Sequence, residues 1–189
     1  MSIFRRIRSV LVNENNNALG VDLSTRSVQT IDYEHHEVHS GRHYNLDGHV
    51  CLDIGDEYWF TVSTCDTKRY AHMLYTLTTG GITCFSFLED AVIDCGAIYT
   101  PVNNNRNSSN TSCHEFRMGS CAPTDYCAVI ADSKVGSTQF KQDSGGGIGR
   151  GDELMLRCST VYAVGVQSYS DNNRISFHAS WYEHTDKAD

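Results

Sequence analysis

The chain has 189 residues, 40% of them hydrophobic and 20% charged, with a formal net charge of −8. That length suits one domain carrying an arm, and the apolar share can fill a core, so wholesale disorder is excluded. The acidic balance argues against a general nucleic-acid binder, which needs a basic surface to neutralise phosphates, and no apolar run reaches the ~18–20 residues that span a bilayer.

Residues 1–31 carry Arg5, Arg6, Arg8 and Arg26 against Glu14 and Asp22, a net of +2 that leaves −10 on the rest of the chain. Residues 7–12 read as a strand, 13–17 as a turn and 21–23 as a returning strand. Residues 1–31 are therefore expected to form an N-terminal arm or hairpin, and residues 32–189 a β-sandwich domain. A basic arm on an acidic body suits docking on an acidic neighbour; an ordinary first strand with solvated arginines fits equally. The start is basic, but its apolar stretch is short for a secretory signal, so the chain is expected to be cytosolic when made.

Residues 34–43 are rich in histidine. Read as extended chain, they put His35, Glu37 and His39 on one face and His36 and Val38 on the other. Two imidazoles and a carboxylate in that pattern suit a divalent metal, as do His36 and His39 after a bend. A polar strand edge needs no metal, however, and neither metal nor cofactor is expected. Imidazoles titrating near pH ~6.5 would make an interface here acid-sensitive.

Further strands read at residues 57–64, 70–77, 81–88, 127–132 and 153–158, rich in β-branched and aromatic residues. Polar connectors separate them at 78–81, 103–112 and 144–149, and Pro101 and Pro123 both fall in connections. The clearest strand is 174–182, where Ile175, Phe177, Ala179 and Trp181 alternate with polar residues at the period of a half-buried strand. Residues 161–169 read as its hairpin partner across the turn Ser170-Asp171-Asn172-Asn173. Many short strands at regular spacing predict an all-β fold, an antiparallel, jelly-roll-like β-sandwich, with no helix of three turns.

Eight cysteines are present, none in a Cys-x-x-Cys pair. Several sit in apolar stretches such as Ile82-Thr83-Cys84-Phe85, where a thiol behaves as a small hydrophobe. Mostly reduced, buried thiols are expected, with a bridge inside 113–127 as the best exception and no structural zinc. Asp143-Ser144-Gly145-Gly146 echoes the nucleophile loop of chymotrypsin-like serine proteases, with His72 and Asp94 preceding it in the order that family uses. Gln142 departs from that loop, only Ala71 matches around the histidine, and a flexible loop is the ordinary reading. No catalytic residue is expected.

Five separated motifs remain. They are His36-Glu37-Val38-His39-Ser40-Gly41, Lys68-Arg69-Tyr70-Ala71-His72-Met73, the Asn/Ser run at 105–112, Gly149-Arg150-Gly151-Asp152-Glu153-Leu154, and Ser180-Trp181-Tyr182-Glu183-His184-Thr185. In order and spacing, over about residues 32–185, they resemble a family of small virion structural proteins of tailed bacteriophages, of the capsid-decorating or accessory-head kind. The resemblance implies a non-enzymatic component of the virion, assembled in the host cytoplasm. Its partners would be the major capsid protein or other virion proteins and further copies of itself, with no nucleic acid or membrane. On that reading Arg5, Arg6 and Arg8 of the arm, with His35 and His39, contact the partner. Alternatives are a neck or tail accessory protein, or a host-glycan-binding module using Tyr169 and Tyr182 as stacking platforms.

Overall fold

Residues 33–93, 95–136, 144–147 and 153–185 are described in this computed structural model of the chain. The expected arm of residues 1–31, with Arg5, Arg6 and Arg8, lies outside them. Residues 37–189 form one compact unit and residues 1–36 another; of the latter only residues 33–36 are described.

The histidine-rich segment is not extended: Tyr33–Ser40 forms a helix, α1. Helical spacing puts His35 and His39 one turn apart on a single face, both exposed, while Glu37 on the opposite face is only 3% exposed. The expected one-face set of His35, Glu37 and His39 is thus broken by the change from a period of two to one of 3.6. What ends the helix is Gly41 at φ +70°. Its N–H donates to Val38 O at 3.1 Å, and Arg42 N–H donates to Glu37 O at 2.9 Å. This pair of bonds is the Schellman closure, which needs a left-handed residue after the last turn and favours glycine there.

Among the described residues twelve strands follow: β1 His43–Leu52, β2 Glu57–Ser63, β3 Arg69–Thr79, β4 Thr83–Glu89, β5 Ala97–Tyr99, β6 Val102–Asn103, β7 Glu115–Ser120, β8 Ala128–Val135, β9 Ser144–Gly147, β10 Leu154–Met155, β11 Val161–Ser168 and β12 Asn173–Thr185. One sheet runs β10-β3-β12-β1-β6, with β9 also on β3; the other runs β5-β7-β2-β11-β4-β8, and every pairing is antiparallel. The pairings nest: β1 with β12, β2 with β11, β3 with β9 and β10, β4 with β8. That is a chain folded back on itself and rolled into two sheets, the jelly roll, and β5–β7 extend its two edges beside β1 and β2.

The inner faces meet in one core. Phe60 of the second sheet packs on Phe177 of the first at 4.2 Å between ring centroids, and Trp181 stacks on Phe116 at 4.5 Å. Ile175, Ala179 and Trp181 of β12 are buried as the alternation predicts, with Phe177 half-buried among them.

The predicted hairpin of 161–169 with 174–182 does not exist. Both strands form, but β11 lies between β2 and β4 while β12 lies between β1 and β3. The turn between them crosses from sheet to sheet, and Asn173 explains how. This first residue of β12 is 1% exposed, and its amide donates to Thr83 Oγ1 at 2.8 Å and Ser168 Oγ at 3.0 Å. Its carbonyl accepts from Thr79 Oγ1 at 3.0 Å. One side chain thereby ties β12 to the ends of β3, β4 and β11. The continuous burial of β11 at residues 162–166 belongs to a central strand covered on both faces, whereas a hairpin edge would alternate.

Two other expectations change. Part of the glycine-rich connector is strand β9, paired along β3 from Thr79↔Ser144 to Thr76↔Gly147. Four cysteines are paired rather than reduced, Cys65 with Cys113 and Cys95 with Cys121, at Cα separations of 5.7 and 5.9 Å. Neither bridge lies inside 113–127, because each joins segments that the roll brings together from far apart in sequence. Of the free thiols, Cys51 and Cys127 are exposed and Cys84 and Cys158 half-buried.

Candidate functional site

Strand β12 runs on past Trp181 with its alternation intact, so the next inward residue is a carboxylate. Glu183 is 1% exposed. Its backbone N–H donates to Arg42 O at 2.9 Å, just beyond the paired part of β1. Its Oε1 accepts from Ser112 Oγ at 2.6 Å, Cys113 N at 3.3 Å and, at 3.5 Å, Trp181 Nε1. Burial pushes the carboxyl pKa up, while those three donors and the Arg69 guanidinium work to keep it ionised.

His114 stands behind it, 4% exposed, with Nε2 3.8 Å from Glu183 Oε1. Its Nδ1 accepts the Cys65 N–H at 3.1 Å. Burial first, then the nearby Arg69 charge, lowers its pKa to about 4, so the ring is neutral at ordinary pH. The Cys65–Cys113 bridge lies beside this ring and fastens the loop after β2 to the loop before β7. Thr67 Oγ1 is 3.0 Å from Cys65 Sγ, and Cys158 donates its thiol to Thr67 O at 2.9 Å.

The Asn/Ser loop closes the other side of the cluster. Asn103 donates to Gly41 O at 2.9 Å and to Asn110 O at 3.0 Å, while its own carbonyl accepts from Asn105 N at 2.8 Å. Asn105 donates to His39 O at 3.0 Å, and Asn110 to Ser40 O and Gly41 O at 3.3 Å each. Asparagine amides thus take the carbonyls that the end of α1 leaves without intrahelical partners. Asn110 is committed to this cap. Beside the loop, Asn104 meets His43 Nδ1 at 2.6 Å and Asn45 at 2.7 Å.

On the outer face of the same end, His72 stacks on Tyr182 at 4.6 Å, lies 4.7 Å from His184, and pairs with Glu153 at 3.4 Å. The five motifs singled out in the sequence therefore supply Glu37 to Gly41, Arg69 and His72, residues 105–112, Glu153, and Trp181 to His184, and all these residues gather at one end of the roll. His114, Cys65, Cys113 and Asn103 belong to the same network but no motif contained them.

The protease echo is not assembled. Ser144 pairs with Thr79 and His72 lies seven positions away along β3, roughly 23 Å at ~3.3 Å per residue, where a triad needs hydrogen-bond contact. Asp94 lies outside the described residues. In the network around Glu183, Cys113 is bonded to Cys65 and the carboxylate is buried. The two aromatic platforms weighed for glycans each have one ring face taken, Tyr182 by His72 and Tyr169 by Lys134 Nζ at 4.9 Å. Three exposed apolar side chains lie at or near the β8 edge: Val129 is 51% exposed, Val92, at 57%, forms the Val92↔Asp125 bridge, and Tyr126, at 48%, follows Asp125.

No protein-family model, no curated protein and no solved structure matches the chain.

Proposed function

We propose that this protein is a non-enzymatic structural component of a tailed-phage particle that docks on the assembled head as a decorating or cementing subunit. The observation that carries the reading is the convergence just described. Motifs that resemble those of small virion proteins, scattered over some 150 positions, meet in one network that caps α1, buries Glu183 and closes one end of a jelly roll. The polar groups of the network are spent on each other, which suits a scaffold that acts through its surface.

Contact would then fall to exposed elements. Val129, Tyr126 and Val92, at or near the β8 edge, are exposed apolar side chains of the kind used in protein association, and the basic arm with Arg5, Arg6 and Arg8 supplies charge opposite to the body. His35 and His39 lie exposed on one face of α1. Lattice docking multiplies such modest contacts through avidity.

Co-sedimentation of the purified full chain with empty capsids tests this. Saturable binding is expected, weakened by added salt and by deletion of residues 1–31. Absence of binding by both the full and the shortened chain overturns the proposal. Binding to tails or to a glycan surface but not to capsids moves the protein to the neck, tail or receptor reading.

A further inference from the structure

Cys65, Cys113 and His114 come from two loops that the roll brings together, and their ligand atoms all lie within 4.8 Å of one another. Sulfur with imidazole is the donor set that selects zinc and its neighbours. The histidine is already set for such a role. Its Nδ1 accepts the Cys65 N–H at 3.1 Å, which puts the ring proton on Nε2, the nitrogen that faces the buried Glu183 carboxylate at 3.8 Å. Nδ1 is then left with its lone pair, 3.9 Å from Cys113 Sγ. In a tetrahedral site with metal–sulfur ~2.3 Å and metal–nitrogen ~2.1 Å, the sulfur–nitrogen edge is about 3.6 Å, so the two groups are nearly at ligand spacing. A further thiol, Cys158, is held at Thr67 O while the Thr67 hydroxyl touches Cys65 Sγ; it stands outside the set of three and would close in as the fourth ligand.

We propose that in the thiol form of the Cys65–Cys113 pair, Cys65, Cys113, His114 and Cys158 bind a zinc-class divalent ion, with Glu183 as the carboxylate that orients His114. Opening the sulfur–sulfur bond takes two electrons and two protons from a dithiol, which becomes a disulfide, and yields two thiols. The incoming ion displaces the protons of three thiols to solvent, and Nδ1 exchanges its bond from the Cys65 N–H for the metal. Disulfide and metal are then alternative fasteners for the same pair of loops. The ligands come from three separate segments, with the paired cysteines 48 positions apart, so no short motif announces them.

The test uses the full chain, reduced with dithiothreitol, freed of reductant under inert gas and checked for all eight thiols. Cobalt(II) is then titrated in. One equivalent is expected to produce the intense visible bands of tetrahedral, sulfur-ligated cobalt, and one equivalent of zinc to abolish them. Glu183→Gln is expected to weaken binding roughly 10–100-fold while keeping the spectrum, and Cys158→Ser to change both spectrum and affinity. If the reduced chain loses its circular dichroism, zinc should restore it, and failure to do so overturns the proposal. So does a folded, fully reduced chain that gives no tetrahedral cobalt spectrum. Binding that is unaffected by Cys113→Ser with His114→Gln, or by Cys158→Ser, also overturns it.

Discussion

Gly41 is where α1, the Asn/Ser loop and the buried network meet, and replacing it with alanine should be among the costliest single-methyl changes in the chain. Two effects add. At φ +70° an alanine pays the left-handed penalty of roughly 1–2 kcal/mol. The new Cβ would also lie 2.7 Å from Ser108 Cβ and closer still to Ser108 Oγ, so the loop must move and loosen the amides of Asn103 and Asn110 on the Gly41 carbonyl. Losing one such bond adds about 1 kcal/mol, which brings the expected loss to about 2–3 kcal/mol. With a urea m-value of about 2 kcal/mol/M, the unfolding midpoint should fall by about 1–1.5 M. Ser108→Gly removes the obstructing side chain, so in that background Gly41→Ala should cost only the backbone part. A double-mutant cycle by urea denaturation reads the difference. Equal costs in the two backgrounds would refute the close approach to Ser108, and a total cost below about 0.5 kcal/mol would refute the role of the turn as well.

Trp181→Ala should lose about 3–5 kcal/mol, because the ring stacks between Phe116 and Tyr44 at 4.5 and 5.8 Å; thermal unfolding checks this. Asn173→Ala leaves Ser168, Thr79 and Thr83 hydroxyls facing an empty site, a loss of about 1–3 kcal/mol by chemical denaturation. A Cβ at Gly165 would run into the Trp59 ring that covers it from the next strand, so Gly165→Ala should expose Trp59 and red-shift its fluorescence. Burial pushes Tyr44 and Tyr162 from 10.0 up to about 12. Raised native values mean stability that is complete below pH 10 and is lost as pH rises from 10 towards 12, up to about 3 kcal/mol for each ring. Urea midpoints measured across that range should fall steeply, and much less so with both residues changed to phenylalanine.

The strands that could be read from sequence are those with one wet face and one dry face. Residues 174–182 alternate strictly, and the structure buries the set that alternation chose. Strand β1 escaped notice although Tyr44, Leu46, Val50 and Leu52 alternate, because Gly48 interrupts the apolar set and the outward residues include histidines that suggested chemistry. The histidine-rich segment failed for a related reason. Its polarity hides the period, and only Gly41, a helix-stopping residue with Arg42 beyond it, marked a helix end. The partner of β11 could not be read at all, since a four-residue turn serves a hairpin or a sheet crossing equally well. What decides between them is the buried amide of Asn173, a tertiary fact.

Glu183 is the instructive case for the site. Extending the alternation of Ile175, Phe177, Ala179 and Trp181 by one step puts a carboxylate inside the core, and a buried carboxylate without partners would cost several kcal/mol. That conflict is visible in the sequence and demands donors from elsewhere in the chain. Their identities are not visible, because Ser112, Cys113 and His114 lie some seventy positions away and meet Glu183 only once β7 has joined β2 at the sheet edge. The opposite end of the roll repeats the logic with Asn173 among the ends of β3, β4 and β11. Each end of the sandwich is closed by a buried polar residue whose partners come from several strands, so a wrong strand order would leave that residue unsatisfied. The two networks thereby select one winding of the chain.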